Sequence, residues 1–258
     1  MLSFSYLVIL FVLGFIGSFL SGMLGVGGAI INYPMLLYIP PLLGFAALTA
    51  HSVSGIVAVQ VFFATLTGVF AYRKSRYLNK GLIMYMGISI LIGSLLGGVG
   101  SRWVSNAVED LVYGILALLA VILIFIPRKE ERNLDEPHNF NRFWAIILSF
   151  LVGVSAGIVG AGGAFLLVPI MLTVLKIPLR VTIATSLAVT FISSIGSTFG
   201  KLVSHQVLFI PALIVVLASI IASPLGAMLG QRLNAKVLKG ILAFLIVMTA
   251  IKVWSSIL

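Results

Sequence analysis

A glycine-rich cassette interrupts two long apolar stretches of this chain, and it sets most of what the chain can fold into. The first copy reads Gly22-Met23-Leu24-Gly25-Val26-Gly27-Gly28-Ala29 and is closed by Pro34. The second reads Gly157-Ile158-Val159-Gly160-Ala161-Gly162-Gly163-Ala164 and is closed by Pro169. Every glycine, the alanine and the proline recur at a constant offset of 135 residues. Glycine and proline are the poorest helix formers, so neither stretch can continue as one regular helix. Breaks at matched positions in the two halves of a membrane chain point to a transport site.

Composition places the chain in a bilayer. Apolar residues make up 61% and charged residues 9%, against about 25% charged in soluble domains. Apolar runs at 82–100, 108–126, 143–159, 207–229 and 238–254 approach the ~20 residues that a spanning helix needs. The net charge of +10 does not call for nucleic acid, because lysines and arginines on short cytoplasmic loops set membrane orientation. With no cysteine, disulfides, thiolate metal sites and cysteine nucleophiles are excluded. Residues 1–20 lack a basic leader and run on into the first cassette, so they read as a retained helix.

The similarity between the halves extends past the cassettes. Ala50-His51-Ser52 matches Ala184-Thr185-Ser186, Gly100-Ser101-Arg102 matches Gly230-Gln231-Arg232, and Gly114-Ile115-Leu116-Ala117 matches Gly240-Ile241-Leu242-Ala243. The offset drifts from 135 through 134 and 130 to 126, as short deletions would produce. Residues 1–127 form a first repeat, 128–141 a cytoplasmic linker and 142–258 a second repeat. With four simple spans per repeat, lysine and arginine divide 10 to 6 between the two sides. With each cassette bending its helix into a re-entrant hairpin, they divide thirteen to three, and only Arg102, Lys201 and Lys252 lie outside. The second division obeys the positive-inside rule far better. The expected fold is therefore all-α and polytopic, with two inverted repeats. Each repeat is a broken hairpin plus three transmembrane helices, and both termini lie outside. The length agrees: about a dozen helical residues separate Gly28 from Pro40 and rise ~18 Å, too little for a ~30 Å core.

The residues favour an anion. The six carboxylates, Glu109, Asp110, Glu130, Glu131, Asp135 and Glu136, all fall in loops or at helix ends, whereas intramembrane cation sites use buried carboxylates. A helix restarting after the glycines offers unpaired N–H groups and a positive dipole end, and glycine lets a ligand come close. The expected substrate-binding residues are Gly25, Gly27, Gly28 and Ala29 of the first cassette and Gly160, Gly162, Gly163 and Ala164 of the second. His51, Ser52, Thr185 and Ser186 complete the set. Gln60, Thr190, Ser193, Ser194 and Ser197 lie in apolar helices, where such hydroxyls tend to bond back to their own backbone. Gly14, Gly17, Gly93, Gly97 and Gly226 serve helix packing. His51 is either an anion ligand, a proton-coupling group or a structural histidine. Lys201 and Arg73, at corresponding helix ends, are expected to snorkel to the interface.

The G-x-x-G-x-G-G-A pattern followed by proline, twice in this length, together with Ala184-Thr185-Ser186-Leu187, resembles the sulfite exporter TauE/SafE family. The resemblance covers essentially the whole chain, and His51 departs from it by standing where the second copy has Thr185. It implies a multi-pass protein of the cytoplasmic membrane that moves sulfite, sulfonates or related sulfur oxyanions. The expectation is an exporter working by alternating access, with lipid and a small anion as partners. A homo-oligomer is compatible with it; no cofactor, no metal and no nucleic acid are expected. The alternatives are a coupled importer of a related anion and a membrane scaffold or assembly protein. An enzyme is disfavoured, because no mid-span Asp, Glu or Cys and no metal-binding cluster is available.

Overall fold

A computed structural model describes residues 3–72, 77–126 and 140–257. Among the described residues ten α-helices follow one another, and each half runs as one long helix, one short helix and three long ones. The first five are α1 (Phe4–Leu24), α2 (Ala29–Leu42), α3 (Ala50–Tyr72), α4 (Lys80–Gly100) and α5 (Asn106–Phe125). The second five are α6 (Arg142–Val159), α7 (Ala164–Thr173), α8 (Leu179–Val203), α9 (Phe209–Arg232) and α10 (Ala235–Ile257). Among the described residues, eight helices are long and apolar enough to cross a membrane, and the short α2 and α7 are not. At 1.5 Å per residue these two rise about 21 Å and 15 Å. The linker carboxylates Glu130, Glu131, Asp135 and Glu136, and Arg73, lie outside the described residues.

The cassettes break their helices through left-handed glycines. Gly25 and Gly160 end α1 and α6 with φ of 74° and 71°, the usual glycine helix stop. Gly28 and Gly163 then start α2 and α7 with φ of 88° and 78°. The Tyr6 ring lies 5.4 Å from the Phe45 ring, so α2 ends beside the start of α1 and the pair forms a hairpin. Pro34 lacks the N–H that would bond the Ile30 carbonyl. Tyr113 of α5 and Thr249 of α10 donate to that carbonyl instead, at 2.9 and 3.1 Å. In lipid such repair is required, because a freed backbone group has no water to turn to.

Each half packs by exchange with the other. The most extensive contacts are α4 with α6 and α1 with α9, and next α4 with α8 and α3 with α9. Small residues allow it. A Cβ on Gly97 would collide with the Val154 carbonyl, and one on Gly226 with the Phe19 carbonyl. These backbone approaches are the close packing that small residues permit in membranes. Gly226→Leu is accordingly expected to separate α1 from α9. Its cost should exceed the about 1–3 kcal/mol of ordinary overpacking, and a normal unfolding midpoint in detergent would contradict this packing.

The helices also correct the register read from the sequence. Ala50 and Leu179 begin α3 and α8, Lys80 and Phe209 begin α4 and α9, and Asn106 and Ala235 begin α5 and α10. All three pairs are 129 positions apart. The offset therefore steps once, from 135 at the cassettes to 129 afterwards, and does not drift to 126. The shorter α7 and its connection absorb the step. The Ala-His-Ser and Ala-Thr-Ser matches lie five positions out of register. Ser52 and Ser186 are not equivalent, and neither are His51 and Thr185; His51 corresponds to Arg180 and Ser186 to Val57.

Candidate functional site

The two cassettes meet at the centre of the bundle. A Cβ on Gly27 would stand 2.8 Å from Thr190 Cγ2 and 3.3 Å from the Ala164 Cβ. A Cβ on Gly162 would stand 2.8 Å from Val61 Cγ1 and 2.9 Å from Thr190 Cγ2. Val61 and Thr190 are themselves related by the 129-residue register, so both cassettes lean on the same pair from α3 and α8. These are the two most enclosed of the long helices. The outer glycines set the depth of contact: Gly25 abuts the Ile183 carbonyl of α8, and Gly160 abuts the Ser54 carbonyl of α3. A side chain at either position would collide with backbone.

The meeting point is rich in unused donors. The N–H groups of Gly27, Gly28, Ala29 and Ile30, and of Gly162, Gly163, Ala164 and Phe165, make no hydrogen bond of standard geometry within the described residues. All eight residues are buried. Buried N–H groups are otherwise almost always paired, and at two helix starts they add to the positive dipole end. Buried side chains nearby are also unpartnered: both amide atoms of Asn32, Oε1 of Gln60 and the hydroxyls of Thr190 and Ser193. Gln60 Nε2 donates to Ser18 Oγ at 2.9 Å and would stand 2.6 Å from a Cβ on Gly28.

This polar shell is one-sided. Ser18, Asn32 and Gln60 surround the first cassette, while the corresponding positions around the second are Gly153, Leu167 and Val189. Gly163 faces Val152, Ala156 and Ile90.

The sequence-selected residues divide into two groups. Gly25, Gly27, Gly28, Ala29, Gly160, Gly162, Gly163 and Ala164 come together, and Ser186 joins them by donating to the Gly25 carbonyl at 2.8 Å. Thr185 is engaged elsewhere, donating to the Tyr77 carbonyl and accepting from the Asn79 N–H. Ser52 accepts a hydrogen bond from Thr49 Oγ1 at 3.0 Å. Ser194 and Ser197 bond back to their own helix, while Thr190 and Ser193 do not. Asn32 was missed altogether, although an asparagine one turn into an apolar arm is itself a signal.

A second polar cluster overturns two expectations. Glu109 does stand in the first turn of α5, yet it is fully buried, so the chain does hold a buried carboxylate. Lys201 does not snorkel: it is also 0% exposed. Its ammonium donates to Glu109 Oε1 at 2.8 Å and to Gln206 Oε1 at 2.7 Å. His51 Nδ1 lies 2.6 Å from Glu109 Oε2, an ion-pair distance without the alignment of a hydrogen bond. Asn106 Oδ1 accepts from the His51 backbone N–H, and Asp110 beside Glu109 accepts from Tyr33. Both oxygens of Glu109 face basic side chains, Lys201 and His51, and no group of three or more metal-ligating side chains occurs among the described residues.

Eight apolar spans among the described residues, two glycine-broken helices and a buried donor-rich centre define a polytopic helical membrane protein. Residues 10–253 match the family described as Sulfite exporter TauE/SafE, and the chain belongs to that family. It is similar to the probable membrane transporter protein YunE of Bacillus subtilis, at 26% identity over 80% of this chain and 82% of the relative. The probable membrane transporter protein MJ0441 of Methanocaldococcus jannaschii is 25% identical over 81% of this chain and 78% of its own length. A probable membrane transporter protein of Haemophilus influenzae is 24% identical over 79% and 76%. No solved structure matches the chain. The chain is thus a multi-pass membrane transporter and not an enzyme.

Proposed function

We propose that the chain carries a small sulfur oxyanion, sulfite or an organosulfonate, across the cytoplasmic membrane by alternating access. The anion is held between the two helix starts at the glycine cassettes. The observation that carries this reading is the set of eight buried, unpaired N–H groups at Gly27–Ile30 and Gly162–Phe165, gathered where the cassettes touch. Backbone amides at a helix start with dipole support are a general anion site, and unpaired helix starts at midplane breaks are how transporters hold anionic groups. Asn32 and Gln60 supply further polar contacts from the first-cassette side, and Thr190 one from between the two cassettes.

The repeats 1–127 and 142–258 lie inverted in the membrane, joined by the cytoplasmic linker 128–141, with both termini outside. Two observations support this. Lys201, at the end of α8, and His51, at the start of α3, meet on Glu109, so these corresponding helices run antiparallel. The charge division of thirteen to three supports a topology in which His51, Glu109 and Lys201 lie at the outer end.

Export is the downhill direction for an uncoupled anion. With the inside negative, one negative charge moving outward releases ~2.3 kcal/mol per 100 mV, enough for a roughly 50-fold gradient. The test is flux of sulfite and of ethanesulfonate from proteoliposomes at pH 8 under an imposed potential. Flux should follow the potential and disappear in Gly28→Leu and Gly163→Leu. Absent or potential-independent flux would refute the uncoupled carrier, and undiminished flux in both variants would refute the site.

A further inference from the structure

We propose that His51, backed by Glu109 and Lys201, is a proton-binding site whose occupancy is linked to that of the anion; the linkage rests on the anion reading above. Glu109 on α5 is the one fully buried carboxylate among the described residues, and two basic side chains converge on it from different helices. Lys201 of α8 is enclosed. His51 of α3 keeps about a quarter of its side chain exposed, so within the cluster the imidazole meets solvent. The other groups facing it are Asp110 with its Tyr33 partner, Gln206 of the connection after α8, and Ser101, which donates to Gln206 Oε1.

The charge balance gives the site its property. With a neutral imidazole, Glu109, Asp110 and Lys201 together carry one net negative charge. A proton taken up at Nδ1 finds Glu109 Oε2 at 2.6 Å and brings the cluster to neutrality, one unit more positive than before. The negative charge removed by the proton would otherwise repel an anion held at the cassettes. Proton and anion therefore strengthen each other's binding, and by linkage the effect is reciprocal. Histidine is the side chain suited to such exchange between pH 5 and 8.

The path between the two sites is short. Ser54 Oγ donates to the His51 carbonyl at 2.9 Å, one helical turn along α3. The Ser54 carbonyl is the atom against which Gly160 of the second cassette is pressed. Movement of the first turn of α3 thus reaches the cassette without an intermediate. The corresponding position in the second half, Arg180, donates to the Gln231 and Leu233 carbonyls at the other end of the bundle. Arginine does not titrate in this range, so proton linkage belongs to the His51 end alone.

The test uses ethanesulfonate, which stays ionised at every pH employed, and the full chain in lipid nanodiscs. Its affinity should rise about tenfold from pH 8 to pH 5.5, and His51→Gln should bind with no pH dependence. Affinity independent of pH in the wild type, or a dependence that survives in His51→Gln, would overturn the proton site. If ethanesulfonate binds at no pH, the anion reading fails separately. The proton site is then judged by histidine-selective NMR of the anion-free chain. His51 signals that shift between pH 5 and 8, and respond to Glu109→Gln, support it; signals constant over that range overturn it.

Discussion

Gly27→Leu and Gly162→Leu should each reduce anion transport at least roughly 100-fold, the scale of loss when a bound group is displaced by about 1 Å. Two costs combine. Gly27 and Gly162 hold φ of 73° and 63°, a left-handed conformation that costs a residue with a Cβ about 1–2 kcal/mol. A new side chain would also enter the space filled by Thr190, Val61 and Ala164, at 2.8 to 3.5 Å from the Cβ alone. The helix starts would be pushed apart and the unpaired amides with them. Gly240→Leu is the matched control, since nothing lies within 4 Å of its Cβ position; it should transport normally. Flux in proteoliposomes, normalised to folded protein, separates the two. Equal activity in all three variants would mean that the cassette glycines serve packing only.

The second large effect is on stability. Lys201→Met should destabilise the protein by about 3–5 kcal/mol, because it takes the enclosed cation from Glu109 Oε1 and leaves that buried oxygen without a partner, whereas the double change Glu109→Gln with Lys201→Met should recover most of that loss. Replacing a buried ion pair by neutral groups of similar size is often nearly neutral, while removing one partner is not. At 2–4 °C per kcal/mol for a chain of this size, the single variant should unfold on the order of 10 °C lower. Thermal unfolding in detergent reads both variants. Equal losses in the single and double variants would show that Lys201 acts through packing of its stem rather than through its charge.

Much of the fold was legible because lipid imposes few solutions. Runs of apolar residues located α4, α5, α6, α9 and α10 but not the more polar α3 and α8, and the clustered glycines located both breaks, since no other residue accepts φ near +70° so readily. What the chain order could not supply was register after the breaks. A three-residue likeness at Ala50–Ser52 and Ala184–Ser186 outweighed the helix starts, although a short match carries little information beside twenty residues of packed helix. The site was legible in its glycines for the same reason, and less so in its side chains. Thr190 and Gln60 look like ordinary polar residues of apolar helices until α3 and α8 are crossed at the cassettes. Burial of Glu109 was hidden in a different way. A carboxylate in a first helical turn is favoured by the dipole wherever it lies, so its position did not reveal that Lys201, 92 residues on, would enclose it.

The claim that both cassettes build one shared anion site is tested most directly by binding stoichiometry. Calorimetric titration of ethanesulfonate into the full chain in nanodiscs should give one anion per chain. Gly27→Leu and Gly162→Leu should each abolish that binding completely. Two anions per chain, or half the binding retained in each variant, would mean that the cassettes act as separate sites and would contradict the account.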